Sequence, residues 1–223
     1  MTETISRPSV TAFGWVPEFA RGLVRDLRVR WALEEMGRAY DTELFSARSP
    51  RPADYVARQP FEQVPAFADG GLQLFETGAI LLYLGEQDER LLPAQGQARW
   101  TAIGWLFSAL NSVEPVVGRI ASYDLFHKDK AWMPDAREAS LGLCKQKLSR
   151  VNDALEGKDW LAGSFSIADI AMITVLENLR HTDLVAEFPA LAAYKKRGQE
   201  RAAYRRALDA QLADFTDEPA TAA

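Results

Sequence analysis

The chain has 223 residues, of which 48% are hydrophobic, so it holds enough apolar side chains to form a core and differs from disordered sequences. Its formal net charge of −5 gives no general attraction for nucleic acid or anionic membranes, and no apolar stretch approaches the ~18 residues of a membrane-spanning helix. The single cysteine, Cys144, excludes an intrachain disulfide and a multi-cysteine metal site. We therefore expect a cytoplasmic protein that binds no metal.

The first 86 residues predict a small α/β domain. Apolar residues at positions 29, 32, 33 and 36 recur at helical spacing, and Asp69-Gly70-Gly71 is typical of a tight hairpin turn. In chain order we predict a strand over 9–14, a helix over 19–37, a strand over 40–45, a short helix over 53–58, a strand pair over 64–68 and 72–75, and a helix over 77–85. This β-α-β-α-β-β-α order indicates one α/β unit.

Beyond this domain the sequence predicts only helices. Residues 87–96 are charged and contain Pro93 and Gly96, a composition typical of a linker. Helices are predicted over 98–122, 135–155, 166–179, 190–197 and 201–212, which places one all-helical bundle over 97–215 and a flexible tail over 216–223. Pro115 lies inside the first of these helices, and we expect a kink there because the carbonyl of Asn111 loses its helical partner.

A first candidate binding motif is Gln63-Val64-Pro65. A cis bond before Pro65 would reverse the chain and turn the backbone N–H and C=O of Val64 outward, free to pair with an extended peptide. The alternative is an ordinary trans proline at a sheet edge, where no ladder donor is needed.

A second candidate motif is Glu76-Thr77, which lies between a predicted strand and an apolar helix. Thr77 has the residue type of an N-cap, and the same helix N-terminus is an anion site suited to a carboxylate. Glu76 can accept a hydrogen bond from an ammonium group. The pair therefore suits the zwitterionic end of an amino acid, although the same two residues also suit a plain helix cap.

Two other features are predicted to be structural. Ser166 and Asp169 have the spacing of a capping box, and Phe165 and Ile170 stand at the positions of a hydrophobic staple. These residues would start a buried helix, and we assign them no chemistry. Cys144 lies in the middle of a predicted helix, where a thiol is not activated, so we expect a partly buried, unreactive residue.

Taken together, these motifs resemble the soluble glutathione transferase family over about 200 residues. The segments that carry the resemblance occur in the family's order: Arg28-Val29-Arg30 with Ala32-Leu33-Glu34-Glu35, Gln59-Pro60 with Gln63-Val64-Pro65-Ala66-Phe67, Leu74-Phe75-Glu76-Thr77-Gly78-Ala79-Ile80 with Tyr83-Leu84, and the Ser166/Asp169 cap. The resemblance implies a thioredoxin-like domain over 1–86, a linker over 87–96, an all-helical domain over 97–215 and, in most members, a homodimer.

The resemblance also implies a glutathione site. Val64, next to a cis Pro65, would pair its backbone with the cysteinyl unit, and Glu76 and Thr77 would hold the γ-glutamyl group. Gln63 would lie near the glycyl carboxylate.

The resemblance further implies a second substrate, a small hydrophobic electrophile, which would lie against the kinked helix. Trp105, Ser108 and Ser112 have the i, i+3, i+7 spacing of one helix face, and Trp15 and Phe19 from the first domain would complete an apolar wall. The alternative for Trp105 is a place in the core of the bundle.

The catalytic residue departs from the family pattern. In the family, a Ser, Tyr or Cys after the first strand faces the glutathione sulfur, but this chain has no Ser, Thr, Tyr or Cys from Phe13 through Arg30. We expect Arg21 first, then the Trp15 indole, Arg25 or backbone amides of the first helix, to stabilise the thiolate, although Trp15 could equally be a pocket wall and the arginines could be solvated. Two functions follow: a transferase that uses these donors, or a non-catalytic binding or interaction module of the same fold.

Overall fold

The computed structural model of the chain describes residues 7–216. The described residues form two compact units, one from the ranges 7–87 and 202–216 and the other from 88–201.

The first unit is built on a four-stranded mixed sheet. Its strands are β1 (Ser9–Trp15), β2 (Asp41–Ser46), β3 (Ala66–Asp69) and β4 (Leu72–Phe75), in the order β2-β1-β3-β4. Strand β1 runs parallel to β2 and antiparallel to β3, and β3 pairs antiparallel with β4. Between residues 7 and 87 this unit also has three α-helices: α1 (Asp26–Met36), α2 (Ala53–Arg58) and α3 (Thr77–Gly85). The predicted β-α-β-α-β-β-α order is therefore confirmed.

Helix α1 begins seven residues later than the sequence predicts. Residues Glu18–Ala20 form one turn of 3-10 helix, and Gly22 has a φ of 78°, in the left-handed region that glycine tolerates. This backbone conformation separates the short turn from α1, so the segment from 16 to 25 is a connection rather than the first turns of the helix.

Charged side chains of α1 are buried among its apolar ones. Asp26, Arg28 and Arg30 are at most 2% exposed, like Leu27 and Val29 beside them. Charged side chains usually lie on the solvated face of an amphipathic helix, and these three are exceptions. Arg30 compensates its burial by donating from Nε to Asp26 at 2.7 Å and from Nη2 to Asp214 at 2.6 Å.

The second unit contains helices and no strand from residue 88 to 201, as predicted. Its helices are α4 (Gly96–Ser108), α5 (Glu114–Phe126), α6 (Met133–Leu155), α7 (Ile167–Leu176) and α8 (Pro189–Gln199), with a 3-10 turn at Glu177–Leu179. Every residue of α7 is buried, so this helix is the centre of the unit.

The predicted interruption at Pro115 appears as a π-helical segment. Residues Ala109–Val113 form this wider turn between α4 and α5, and Pro115 lies in the first turn of α5. A proline has no N–H to return to the carbonyl of Asn111, and a π turn is one of the arrangements that absorb such a break.

The capping box at the start of α7 is confirmed. The Ser166 hydroxyl accepts from the amide of Ala168, and the Asp169 carboxylate accepts from the amide of Ser166 at 2.8 Å. Asp169 also accepts from the amide of Leu161 and from the hydroxyl of Tyr194. Burial raises the pKa of Asp169 to about 6, although these hydrogen bonds act in the opposite direction.

The last helix, α9 (Ala202–Ala213), groups with the first unit, whereas the sequence places it in one bundle over 97–215. Its Tyr204 ring packs edge-on against Trp31 of α1, with ring centroids 4.8 Å apart. Thr216, where the sequence begins a flexible tail, donates its amide to the carbonyl of Gly14 at 2.8 Å. The rest of that predicted tail, 217–223, lies outside the described residues.

Candidate functional site

The loop before β3 presents an open stretch of backbone at Val64. The Val64–Pro65 peptide bond is cis, as the resemblance implies. The Val64 side chain is buried in an apolar cluster with Tyr55 and Ala66, which fixes the residue in place. Within the part of the chain that is described, neither the N–H nor the C=O of Val64 has a hydrogen-bond partner. A strand-like peptide could therefore pair with it.

A chain of hydrogen bonds holds this loop against the sheet. The amide of Ala66 donates to the Thr11 hydroxyl of β1 at 2.6 Å, and this hydroxyl lies 2.9 Å from the hydroxyl of Tyr55 on α2. Tyr55 in turn donates to the carbonyl of Gln63 at 2.5 Å. Burial raises the pKa of Tyr55, so the phenol stays protonated and remains a donor. Gln63 is thus fixed through its backbone while its side chain remains exposed.

Glu76 holds a strained backbone conformation at the start of α3. Its φ of 67° lies in the left-handed region, which is unfavourable for a residue with a Cβ, and such strained residues are enriched at functional sites. Glu76 rather than Thr77 is the N-cap, and its side chain makes no capping hydrogen bond. The prediction that Thr77 caps this helix is therefore wrong. The exposed carboxylate of Glu76 stands next to the free amides of the first turn.

The Thr77 hydroxyl, on the first residue of α3, accepts a hydrogen bond from Nη1 of Arg28 at 3.1 Å. Arg28 is buried, and the sequence assigned it no role. It lies four residues before Ala32, on the apolar stripe of α1, and a charge at such a position is the pattern that could have identified it.

Arg25, at the start of α1, contacts the other candidate motif. Its Nη1 donates to the side-chain oxygen of Gln63 at 3.3 Å. The N-terminal end of α1 therefore touches both motifs: Arg25 contacts the cis-proline loop, and Arg28 contacts the start of α3. The structure brings Gln63, Val64, Pro65, Glu76 and Thr77 together in one unit.

The candidate thiolate donors lie on the connection between β1 and α1. Trp15 is the last residue of β1, and the Arg48 guanidinium carbon lies 4.5 Å from its ring centroid. Arg21 follows the 3-10 turn and lies 5.8 Å from the ring centroid of Phe215. Phe19, in the same turn, is 38% exposed. Their part in binding the sulfur or an electrophile stays a prediction.

The predicted electrophile face on the second unit is interrupted. Trp105 and Ser108 are partly buried in α4, and Ser112 is exposed in the π-helical segment. The i, i+7 spacing between Trp105 and Ser112 describes one face only in a regular α-helix, and the π turn falls inside that interval. The combined role of these residues with Trp15 and Phe19 stays a prediction.

The protein's own thiol is unreactive. Cys144 is completely buried, and this burial raises the pKa of its thiol to about 11, so it carries almost no thiolate at neutral pH. Among residues 7–216, no group of three or more His, Cys, Asp and Glu side chains is arranged to hold a metal ion. In the same part of the chain, no helix has the length and apolar character needed to cross a membrane.

Two family models and several known proteins match this chain. The family model described as the glutathione S-transferase N-terminal domain matches residues 10–86, and the corresponding C-terminal domain model matches 134–197. The chain is 33% identical over 172 residues to the disulfide-bond oxidoreductase YfcG of Escherichia coli (strain K12), which covers 72% of this chain and 79% of that protein. It is also 33% identical over 190 residues to the glutathione S-transferase GstA of Escherichia coli O157:H7, covering 80% and 90%.

Solved structures show the same fold. A glutathione transferase from Burkholderia graminis, with two glutathione molecules bound per subunit, is 27% identical, with a TM-score of 0.76 and coverage of 91% of this chain and 88% of that one. A family member from Pseudomonas fluorescens, also with two glutathione bound, has a TM-score of 0.80 at 23% identity and covers 93% and 94%. These similarities confirm the thioredoxin-like fold of the first domain.

Proposed function

This chain belongs to the glutathione S-transferase superfamily, and on that premise we propose that it binds glutathione and transfers the glutathione thiolate to a small hydrophobic electrophile. The observation that carries the proposal is the open backbone of Val64 in the cis-proline loop, held in the same unit as the N-terminus of α3. The cysteinyl unit of glutathione would pair with the N–H and C=O of Val64, as an added strand does.

The γ-glutamyl end would bind at the start of α3. Arg28 can only donate hydrogen bonds, so its contact uses a lone pair of the Thr77 hydroxyl and leaves the hydroxyl proton to donate to a carboxylate. The amides of the first helical turn add the positive end of the helix dipole. The exposed carboxylate of Glu76 would accept from the γ-glutamyl ammonium.

The glycyl end would bind at Gln63. Arg25 donates to the side-chain oxygen of Gln63, and this contact leaves the amide NH₂ to donate elsewhere. A carboxylate is the natural acceptor for such a donor, and the positive charge of Arg25 would favour it further. The three parts of the tripeptide would thus meet three distinct groups of the first unit.

The sulfur would be activated by Arg21, with the Trp15 indole as the second candidate. A free thiol with a pKa near 8.5 is only a few per cent ionised at pH 7, and lowering its pKa by about 2 units requires roughly 2.7 kcal/mol of preferential stabilisation of the thiolate. One preorganised charged donor can supply stabilisation of that order. Arg21 combines a fixed positive charge with partial burial in a segment that has no hydroxyl or thiol side chain.

The decisive experiment measures binding and ionisation separately. Calorimetry with millimolar glutathione should give a binding isotherm, and thiolate absorbance should give a bound pKa well below that of free glutathione. That pKa should rise by about one unit or more in Arg21→Ala, Arg25→Ala or Trp15→Phe. If the parent binds glutathione but the bound thiol has the same pKa as free glutathione, the alternative of a non-catalytic module remains. An absence of binding heat would reject both the glutathione site and the transferase.

The electrophile is proposed to contact Trp15, Phe19, Trp105, Ser108 and Ser112. A conjugation screen over aryl halides, isothiocyanates, epoxides and hydroperoxides would identify its class. If Trp105 lines this site, Trp105→Ala should change the order of preference among the electrophiles that are accepted. An unchanged order would assign Trp105 to the helical core.

A second candidate function is glutathione-dependent disulfide reduction, which the similarity to YfcG favours. One glutathione thiolate would attack a substrate disulfide, forming a mixed disulfide and releasing one thiolate. A second glutathione would attack the mixed disulfide, releasing the other thiolate and glutathione disulfide, so that two glutathione molecules supply both electrons. Because Cys144 is buried and protonated, Cys144→Ala should reduce hydroxyethyl disulfide as fast as the parent. A large loss of rate would contradict this route.

We also propose a cytoplasmic homodimer, as the family resemblance implies. Sedimentation equilibrium at micromolar concentration should then give twice the mass of the chain. A single-chain mass at that concentration would reject the dimer and leave the glutathione site unaffected, since Gln63, Val64, Glu76 and Thr77 all belong to one chain.

A further inference from the structure

The segment that carries the candidate thiolate donors has little regular structure of its own. Between Trp15, at the end of β1, and Asp26, at the start of α1, it contains one 3-10 turn and isolated turn hydrogen bonds, such as those from Ala20 to Pro17 and from Leu23 to Ala20. A donor that stabilises a thiolate must be held in position before the ligand arrives. This segment, residues 15–25, therefore has to be positioned by contacts from elsewhere in the chain.

The C-terminal end of the described chain supplies such contacts at the start of the segment. The amide of Thr216 donates to the carbonyl of Gly14 at 2.8 Å, and the Thr216 hydroxyl donates to the same oxygen at 3.2 Å. Gly14 lies where the register between β1 and β2 shifts, between Phe13 and Trp15. Thr216 thus binds the C-terminal end of β1 at the point where its pairing with β2 is irregular.

The middle of the segment is also in contact with the C-terminal residues. The Phe215 ring lies 5.8 Å from the guanidinium carbon of Arg21, within the distance of a cation–π interaction. Arg21 is the leading candidate for the thiolate donor, so an aromatic ring against it limits where its long side chain can go.

The end of the segment is in contact with Gln211 of α9, and α1 beyond it is in contact with Asp214, which follows this helix. Gln211 is 1% exposed and donates from Nε2 to the carbonyl of Val24 at 3.1 Å and to Asp26 at 2.8 Å. Asp214 accepts from Arg30 at 2.6 Å, and Arg30 also donates to Asp26. These contacts join the C-terminal end of α9 and the residue after it to the N-terminal half of α1 and the residues just before it.

We infer that Gln211, Asp214, Phe215 and Thr216 form a terminal clamp that positions residues 15–25 to hold the glutathione sulfur. This inference rests on the proposed function. The clamp residues are positioning residues that act through Gly14, Arg21 and the first turn of α1. A clamp at both ends and at the middle reduces the conformations open to the segment, and small displacements of a reacting group are costly to a reaction.

The test compares two shortened chains. A chain that ends at Thr216 keeps the whole clamp, and a chain that ends at Asp214 loses Phe215 and Thr216 but keeps the ion pair to Arg30. A third variant, Tyr204→Ala, removes the ring that packs against Trp31 near the other end of α9 and keeps all four clamp residues. It controls for a merely structural role, since it should lower the melting temperature and leave the segment unchanged.

Three quantities are measured on each protein: amide hydrogen exchange of residues 15–25 without ligand, the dissociation constant for glutathione, and the pKa of the bound thiol. Relative to the chain that ends at Thr216, the chain that ends at Asp214 should exchange about tenfold faster in this segment. Its bound thiol should have a pKa higher by about 0.5 to 1 unit. Tyr204→Ala should match the parent in both quantities.

Equal exchange of residues 15–25 in the two shortened chains would overturn the clamp. Faster exchange with an unchanged thiol pKa would also overturn the inference, because the segment would then be held for a reason other than the sulfur. If the full chain itself gives no binding heat with glutathione, the proposed function fails and the positioning role fails with it. Failure of the proposed function is seen as absent binding in the full chain, whereas failure of the clamp alone is seen only when the two shortened chains are compared. The two failures are therefore distinguishable.

Discussion

The hydrogen bond from Arg28 to Thr77 joins the buried face of α1 to the first residue of α3, and Thr77→Val removes it at nearly constant volume. Both side chains are buried: Thr77 is 5% exposed and Arg28 is 2% exposed. The valine leaves a buried guanidinium nitrogen without this acceptor. It also deletes the hydroxyl proton that we propose for the γ-glutamyl carboxylate.

Both effects have a size that can be measured. Loss of a hydrogen bond to a charged group costs about 1.5–3 kcal/mol, so we expect the free energy of unfolding to fall by about that amount. The same loss toward a ligand carboxylate would raise the dissociation constant of glutathione roughly 10- to 150-fold. Thr77→Ser keeps the hydroxyl and removes one methyl group, which costs about 1 kcal/mol of stability and should leave affinity close to that of the parent.

Urea unfolding and calorimetry on Thr77→Val, Thr77→Ser, Arg28→Met and the double variant Arg28→Met/Thr77→Val check these expectations. Arg28 and Thr77 are in direct contact, so their effects on stability should be non-additive by about 1 kcal/mol or more. Additive effects, or equal losses of affinity in the valine and serine variants, would refute the assigned contact and the assigned role of the hydroxyl.

Two further predictions concern single carboxylates. Glu76→Gln should weaken glutathione binding roughly 10- to 150-fold in calorimetry, because a charged hydrogen bond to the ammonium is lost, whereas the exposed control Glu89→Gln should bind like the parent. In the second unit, burial raises the pKa of Asp169 from 3.8 to about 6, so the folded chain holds this proton more tightly than the unfolded chain. Protonation of Asp169 therefore contributes its full stabilisation of the folded chain below a pH of about 3.8, and this stabilisation is lost as the pH rises through about 6. Measured by urea unfolding, the stability of the parent relative to Asp169→Asn should fall by up to about 3 kcal/mol over that window, and a constant difference would show that Asp169 does not titrate there.

The parts of the fold set by local chemistry could be predicted closely from the sequence. Strand β4 and helix α3 have the predicted bounds, because the Asp69-Gly70-Gly71 turn and the change from strand to apolar helix at Glu76 are encoded by adjacent residues. The capping box of α7 was identifiable for the same reason. The interruption at Pro115 was predictable in position, but its π-helical form depends on how the surrounding helices absorb the missing hydrogen bond.

The parts set by tertiary partners were not predictable in this way. The amphipathic pattern of α9 indicates that one face is buried, but it carries no information on which helix covers that face. Burial of Arg28 and Arg30 likewise depends on acceptors far along the chain, at Thr77 and Asp214. The expectation that charged side chains are exposed to solvent fails where distant residues supply buried hydrogen-bond acceptors.

The position of α9 and the buried charges of α1 both bear on how the chain could activate a thiol. It has no hydroxyl or thiol side chain just after its first strand. A serine or tyrosine at a strand end is positioned by the sheet itself, whereas an arginine on a long connection has many rotamers and a mobile backbone. Such a donor needs more support than the sheet provides. The buried pairing of Asp26 with Arg30 and Gln211, and the contacts of Phe215 and Thr216 with Arg21 and Gly14, are support of that kind. If this connection carries the thiolate donor, removing the contacts of Phe215 and Thr216 with it should raise the thiol pKa before it lowers the stability of the fold.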